Sequence, residues 1–134
     1  MSWSRTYPLR FSHCDPAGIA YYPKLLELCD NAIEEWTGDV VGVPRHVMEG
    51  ELRRGTVAVM LHIRFAVACR HWEELRFDIE TKRVGRSSLD LHVGVSCEGE
   101  DRFAVDYTLA LVDHEAARSV AWPPEWRARL EASA

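Results

Sequence analysis

Asp15 lies in the run His13-Cys14-Asp15-Pro16-Ala17-Gly18, seven positions ahead of Tyr22. Tyr22-Pro23 opens a stretch of helical periodicity. The free N–H groups of a helix start are donors backed by the helix dipole. A carboxylate held beside such donors suits acyl transfer, with the carboxylate as nucleophile or general base and the helix start as the oxyanion site. The same run is also ordinary turn chemistry, in which an aspartate bonds nearby backbone. Spacing alone leaves both readings open.

Other reactive groups carry weaker patterns. His13, Cys14 and Asp15 are consecutive and cannot easily face one ion, so no metal site is expected. Cys14 with His13 lacks a third group to orient a nucleophilic pair. His62, His71, His92 and His114 fall on strands or turns without a motif and read as sheet or surface positions. Arg83, Arg86, Ser87 and Ser88 cluster where two strands join. That rim could hold phosphate through bidentate arginine bonds, or be a solvated turn. Asp30 stands at the edge of a helical apolar stripe, facing a pocket or marking the boundary.

The elements that must position these groups follow from hydrophobic period. Trp3, Arg5, Tyr7, Leu9 and Phe11 alternate and predict a first strand, interrupted at Pro8. Leu25, Leu28, Cys29, Ala32 and Trp36 predict a helix over Pro23–Trp36, with Pro23 at its first turn and Gly38 as its stop. Residues 39–55, with Gly42, Pro44, Gly50 and Gly55, read as a long irregular loop of the kind that carries function. Four strands follow, alternating over Val57–Val67, Leu75–Thr81, Leu89–Cys97 and Phe103–Leu111. Their short joints demand antiparallel neighbours. Pro123-Pro124 opens a terminal helix. The order β-α-β-β-β-β-α predicts one long helix over one face of an antiparallel sheet. The other face of the second strand, Ala58, Met60, His62, Arg64, Ala66 and Ala68, reads as partly covered by another subunit.

Composition bounds the rest. The 134 residues read as one domain, 1–134, large enough for a core without staples. Apolar residues are 47% and charged residues 28%, which excludes a disordered chain. A net charge of −5 argues against nucleic-acid binding. Cys14, Cys29, Cys69 and Cys97 form no CxxC pair and read as reduced thiols of a cytoplasmic protein. MSWSRTYPLR has no apolar run fit for a signal peptide, and no stretch suits a membrane span.

The segment from Phe11 to Pro23, with CDPAGI at 14–19 and the pair Tyr21-Tyr22, resembles the hotdog-fold acyl-CoA thioesterases of the 4-hydroxybenzoyl-CoA thioesterase type. Gly85-Arg86-Ser87-Ser88 is similar to the family's hairpin, and the element order extends the likeness to nearly the whole chain. The resemblance implies an α+β hotdog fold, a five-stranded antiparallel sheet wrapped around one long helix. It implies a homodimer or homotetramer with the site at the subunit interface. It implies hydrolysis of a small acyl- or aryl-acyl-CoA thioester, with Asp15 as the catalytic carboxylate and the Tyr22 N–H polarising the carbonyl. Arg86, and less directly Arg83, would bind the nucleotide end beside Ser87 and Ser88. Coenzyme A is then part of the substrate, and no separate cofactor is implied. The chain departs from relatives at His13, where an acid is frequent, at Leu25, where some carry an aromatic residue, and in a thinner basic hairpin. Two alternatives remain: an acyl-CoA dehydratase on the same fold, which would need a histidine opposite the acid, and a non-catalytic acyl-CoA binding domain.

Overall fold

In a computed structural model, described over residues 3–134, the sheet is continuous and antiparallel, with strand order β1-β3-β4-β5-β2. Met1 and Ser2, part of the N-terminal stretch considered above, lie outside the described residues. The strands are β1 (Trp3–Pro8), β2 (Arg54–Phe65), β3 (Glu74–Val84), β4 (Ser88–Cys97) and β5 (Glu100–Asp113). A two-residue β6 (Arg118–Ser119) pairs back onto β5. The long helix α1 (Tyr22–Trp36) is followed by short α2 (Arg45–Gly50) and terminal α3 (Pro124–Ala132). This is the expected α+β hotdog arrangement, five strands curled around one helix.

The core is the contact between α1 and one sheet face. Leu25, Leu28, Cys29, Ala32, Ile33 and Trp36 are buried on the helix, at the spacing that makes a stripe. They meet Leu75, Phe77 and Ile79 of β3, alternate residues Leu89–Val95 of β4 and Phe103–Leu111 of β5, all buried. β1 is fastened to the far end of the helix by polar bonds. Tyr7 Oη donates to Glu35 at 2.6 Å, and Trp3 Nε1 and Arg5 Nη2 donate to Asp39 at 2.9 and 2.6 Å. On the opposite sheet face the register aligns Glu80, His92, Asp106 and His62 in one cross-strand row. His92 Nδ1 lies 2.6 Å from Asp106 Oδ1, and this contact holds the Asp106 carboxyl below its usual range.

Several expectations need correction. β1 ends at Pro8, and Phe11–His13 form a 3₁₀ turn. Leu9 is therefore buried while Phe11 points out at 74% exposure, rather than sharing a face. α1 does not stop at Gly38. A π-helical turn carries it through Val41, and Gly42 ends it at φ +82°, its N–H bonding Thr37 O. A left-handed residue is the stronger stop, and glycine takes it without strain. Residues 39–55 are not one irregular loop: the π-helical turn runs to Val41, α2 spans Arg45–Gly50 and buries Met48, and β2 begins at Arg54.

The alternation of β2 is broken as well. Ala58 pairs with Leu109 but Met60 pairs with Thr108, so Val59 is a bulge. One extra residue inverts side-chain parity beyond it. Thr56, Ala58, Leu61, Ile63 and Phe65 thus face the helix side, while Val57, Met60, His62 and Arg64 face the other. Ala58 is not on the face expected for it, and Ala66 and Ala68 lie past the strand's end. β2 is also a sheet edge, and Val57, Val59, Met60, Leu61 and Phe65 are all exposed.

The bulge makes a direct test. Deleting Val59 would set Ala58 directly before Met60, opposite Leu109 and Thr108, so the register holds and Leu61, Ile63 and Phe65 keep their face. The deletion should therefore fold with a melting temperature within about 5 °C of the parent, and Val59→Ala, at a position 60% exposed, should stay within about 0.5 kcal/mol of it; loss of folding in the deletion would contradict the bulge.

Candidate active site

The loop between β1 and α1 is held on three sides. Asp15 N–H donates to Ile19 O at 2.9 Å, Gly18 N–H to Asp15 O at 2.9 Å, and Tyr21 N–H to His13 O at 2.9 Å. Gly18 sits at φ +76°, a conformation that the turn demands and glycine accepts. The Asp15 side chain joins the turn through one oxygen. Oδ1 accepts N–H bonds from Ala17 at 2.8 Å and Ile19 at 3.3 Å. Oδ2 has no hydrogen bond among the described residues. The turn-forming and the reactive readings of Asp15 are therefore compatible in one residue.

Tyr22 opens α1. Lys24 N–H is taken by Tyr21 O at 2.8 Å and Pro23 has no N–H, so the Tyr22 amide is the donor left over at the helix start. Beside it is a cleft of about 370 Å³ lined by Ile19, Ala20, Tyr22, Leu25, Phe65 and the segment 66–69. The lining is almost wholly apolar. Tyr22 approaches Phe65 edge-on at 6.5 Å, and Phe65 meets Phe103 at 5.8 Å.

The wall of this cleft depends on a pair the sequence reading missed. Arg102, at 8% exposure, bonds Glu73 through two parallel contacts, Nη1–Oε1 and Nη2–Oε2, both 2.6 Å. Arg102 Nη1 also donates to Ala68 O at 2.9 Å, and its carbonyl accepts Ala66 and Val67 N–H. Glu73 Oε1 in turn accepts the Arg70 N–H. Segment 66–73 is thus clamped. It passes the order on: Ala20 N–H bonds Cys69 O at 2.9 Å and His71 N–H bonds Gly18 O at 3.1 Å. The Arg102 bonds hold the Glu73 carboxyl below its ordinary range, and the carboxylate raises Arg102 in return. Arg102 Nε lies 3.0 Å from Glu100 Oε1, but off the line of a hydrogen bond, and is the buried donor left without one among the described residues. Arginine and glutamate twenty-nine positions apart give no local pattern, so periodicity could not have paired them.

The remaining candidates divide clearly. The Cys14 thiol donates to Arg10 O at 3.5 Å and its pKa is pushed up by desolvation and by Asp15, which removes it as a ready thiolate. Burial drives Cys29 to about 12 and Cys69 to about 11. All four cysteines are free. No group of metal-ligating side chains converges among the described residues. His13 Nδ1 accepts the Arg10 N–H at 2.9 Å, so its role here is to close the 3₁₀ turn. Asp30 is exposed and paired with Arg45 at 2.8 Å, which makes it a boundary residue.

Arg83, Arg86, Ser87 and Ser88 are not brought to Asp15 within one chain. Asp15 sits near the β3 start, through segment 66–73, whereas these four residues occupy the far end of that strand of 11 residues, roughly 35 Å away along it. Arg86 is exposed, and its carbonyl and that of Ser88 anchor Trp122. Arg83 pairs in register with Asp90 across a second bulge at Lys82, on the sheet face away from α1.

The clamp has a measurable consequence. Glu73→Gln leaves Arg102 buried with only the exposed Glu100 as counter-charge and should cost about 3 kcal/mol at neutral pH, the lower end for a broken buried pair, because the Glu73 side chain keeps 22% of its surface in water. The folded pKa is lowered, so the stabilisation is complete above the ordinary value of 4.5 and lost as pH falls through the folded value. Denaturant titrations of parent and variant should draw together as the pH falls below 4.5 and through the lowered folded value; a gap unchanged at acid pH would contradict the assignment.

Comparison with known proteins agrees with this architecture. A thioesterase-superfamily structure from Jannaschia sp. CCS1 superposes with a TM-score of 0.90 at 22% identity, covering 98% of this chain and 92% of that one. A 1,4-dihydroxy-2-naphthoyl-CoA thioesterase from Synechocystis gives 0.86 at 12% identity, over 97% and 96%. A Staphylococcus aureus protein solved in complex with CoA gives 0.91 at 10% identity, over 99% and 84%. By sequence, the uncharacterized protein YsmA of Bacillus subtilis (strain 168) is 38% identical over 60 residues, a match spanning 44% of this chain and 41% of that protein. The model of the thioesterase-like superfamily matches residues 9–130, nearly the whole length, and the chain belongs to that superfamily.

Proposed function

We propose that the protein hydrolyses a small acyl- or aryl-acyl-CoA thioester to the free acid and coenzyme A. One observation carries the reading: Asp15 has one carboxylate oxygen tethered to Ala17 and Ile19 and the other free, Ile19 lines an apolar cleft, and the same cleft is lined by Tyr22, whose helix-start amide is unpaired. The acyl group would enter the cleft with its carbonyl oxygen toward the Tyr22 N–H. That donor would stabilise the charge that develops on the oxygen in the transition state. Asp15 Oδ2 would then attack the carbonyl carbon and expel the coenzyme thiolate, leaving a mixed anhydride that water opens. Alternatively it would take a proton from the water that attacks. A thiolate leaves readily, which suits a site with no evident general acid. The dehydratase alternative is less favoured, because His13 accepts the Arg10 N–H through Nδ1, which leaves its other ring nitrogen as the N–H donor and not a base. A binding-only domain would have no use for the free oxygen of Asp15.

The nucleotide end would be met by Arg86, with Arg83, Ser87 and Ser88 beside it, from a second copy. β2 is an edge whose apolar residues are exposed. Antiparallel pairing of two β2 edges would set the C-terminal end of one β2 beside the N-terminal end of the other. The hairpin at Ser88 lies two strands further, because Ser88 pairs with Ala110 and Gly55 with Val112. That puts it about three strand spacings, roughly 14 Å, from the cleft. A homodimer, or a homotetramer of such dimers, would therefore complete the site. Among the described residues, no helix is long and apolar enough to cross a membrane.

Light scattering at micromolar concentration should give a dimer or tetramer, and a stable, active monomer would overturn the shared site. Arg86→Ala should raise KM for the thioester roughly tenfold to a hundredfold with little change in kcat, the loss of a charge-assisted bond made equally in ground and transition states. An unmoved KM would remove Arg86 from the site. Asp15→Asn keeps the acceptor oxygen for Ala17 and Ile19, so it should fold with a near-parental melting temperature. Its kcat should fall by about 10² to 10⁴. Normal single-turnover rates in that variant would refute the mechanism.

A further inference from the structure

Beside the Asp15 turn lies a second cleft, of about 430 Å³, whose lining includes Arg10, Phe11, Ser12, His71, Trp72 and Glu74. Its aromatic residues are turned outward. Trp72 is 80% exposed and Phe11 74%. The His71 imidazole stacks on one face of the Trp72 ring, with centroids 4.1 Å apart and planes 18° off parallel. Phe11 meets the His71 ring edge-on at 5.4 Å. Trp72 also holds φ at +75°, a conformation rare for a bulky residue. Its N–H is fixed to Leu9 O at 3.0 Å, so the turn is set by the backbone and the indole is displayed at a cost in strain. A purely structural role would have favoured glycine or asparagine there.

The charges around the platform are of particular types. Arg10 precedes Phe11 and Arg70 precedes His71, and among the described residues neither arginine has a carboxylate within ion-pair distance. Glu74, exposed, likewise has no cation paired to it. A flat open ring, two uncommitted guanidinium groups and one uncommitted carboxylate are what a nucleotide needs: a surface for the base, donors for phosphate, and an acceptor for an exocyclic amine. The platform also continues into the candidate site, since His71 N–H bonds Gly18 O and Arg70 bridges Ile19.

We infer that Trp72 is a stacking platform for the adenine of the substrate's nucleotide end, with Arg10 and Arg70 meeting phosphate and Glu74 meeting the amino edge of the base. This rests on the CoA-thioester reading and adds a base-binding contact on the same chain as Asp15. Coenzyme A carries phosphate at two places, so Arg86 of a second copy and this platform can serve one molecule.

The test uses the full chain and two probes. Adenosine 3′,5′-bisphosphate is titrated by calorimetry and by tryptophan fluorescence, in which the indole of Trp72 is the most solvent-exposed of those described. In parallel, hydrolysis of one acyl-CoA is compared with that of the N-acetylcysteamine thioester of the same acid, which lacks the nucleotide. Trp72→Gly accepts φ +75° freely, so its melting temperature should equal or exceed the parent's. Its affinity for the bisphosphate should fall roughly 5- to 100-fold, while Trp72→Phe keeps most of it. KM for the acyl-CoA should rise by a similar factor, with kcat and the truncated thioester unchanged. Equal bisphosphate affinity in parent and Trp72→Gly would overturn the inference. So would a change of oligomeric state without a change of affinity, which would make the platform a contact between copies. Bisphosphate binding that depends on Trp72, in a protein that hydrolyses neither thioester, would sustain the nucleotide site and reject the hydrolase reading.

Discussion

A buried arginine must keep its counter-charge, and much of the candidate site hangs on that constraint. Arg102 starts from the head of β5 and Glu73 from the segment leading into β3. Their two parallel bonds fix the path of residues 66–73 at a point where the sheet supplies few hydrogen bonds of its own. That path is one wall of the apolar cleft, the partner of the Asp15 turn through Cys69 and His71, and the support for Leu9. Paired ions of this kind stabilise little over a well-packed apolar substitute, but a lone survivor is costly. The pair therefore acts less as a source of stability than as a rule against other paths for the loop.

Much of the fold could be read from hydrophobic period. The stripe Leu25–Trp36 placed α1 within a residue of its observed start, and alternation located four strands, three of which bury one face against that helix while β2 keeps most of both faces exposed. What period could not reveal was where it breaks. Val59 and Lys82 each add one residue to a strand, and an added residue leaves no mark in composition while inverting every position beyond it. Gly38 and Gly42 are equally good helix stops on paper. The choice fell to Gly42, where the backbone adopts positive φ.

The same limits apply at the site. The Asp15 turn was legible because Asp-Pro-x-Gly is local chemistry, and the structure adds that one carboxylate oxygen suffices for it. The apolar wall at Phe65–Cys69 and the ion pair behind it were not legible, since they join segments distant in sequence. The Arg86 hairpin was visible as a basic turn, but its distance from Asp15 is a property of strand length and direction. On the proposed reading, a site drawing on both ends of one sheet would need a second copy of the chain.

The disposition of the thiols has a practical use. Cys29, Cys69 and Cys97 are shut in the core, where desolvation keeps them protonated, and Cys14 alone is partly open, one residue from Asp15. A thiol-directed reporter would attach there without any engineered cysteine, and slowly, because the raised pKa of Cys14 leaves little thiolate near neutrality. The chain thus offers one addressable atom in the Asp15 turn, where a fluorophore or spin label would report on the surroundings of that carboxylate.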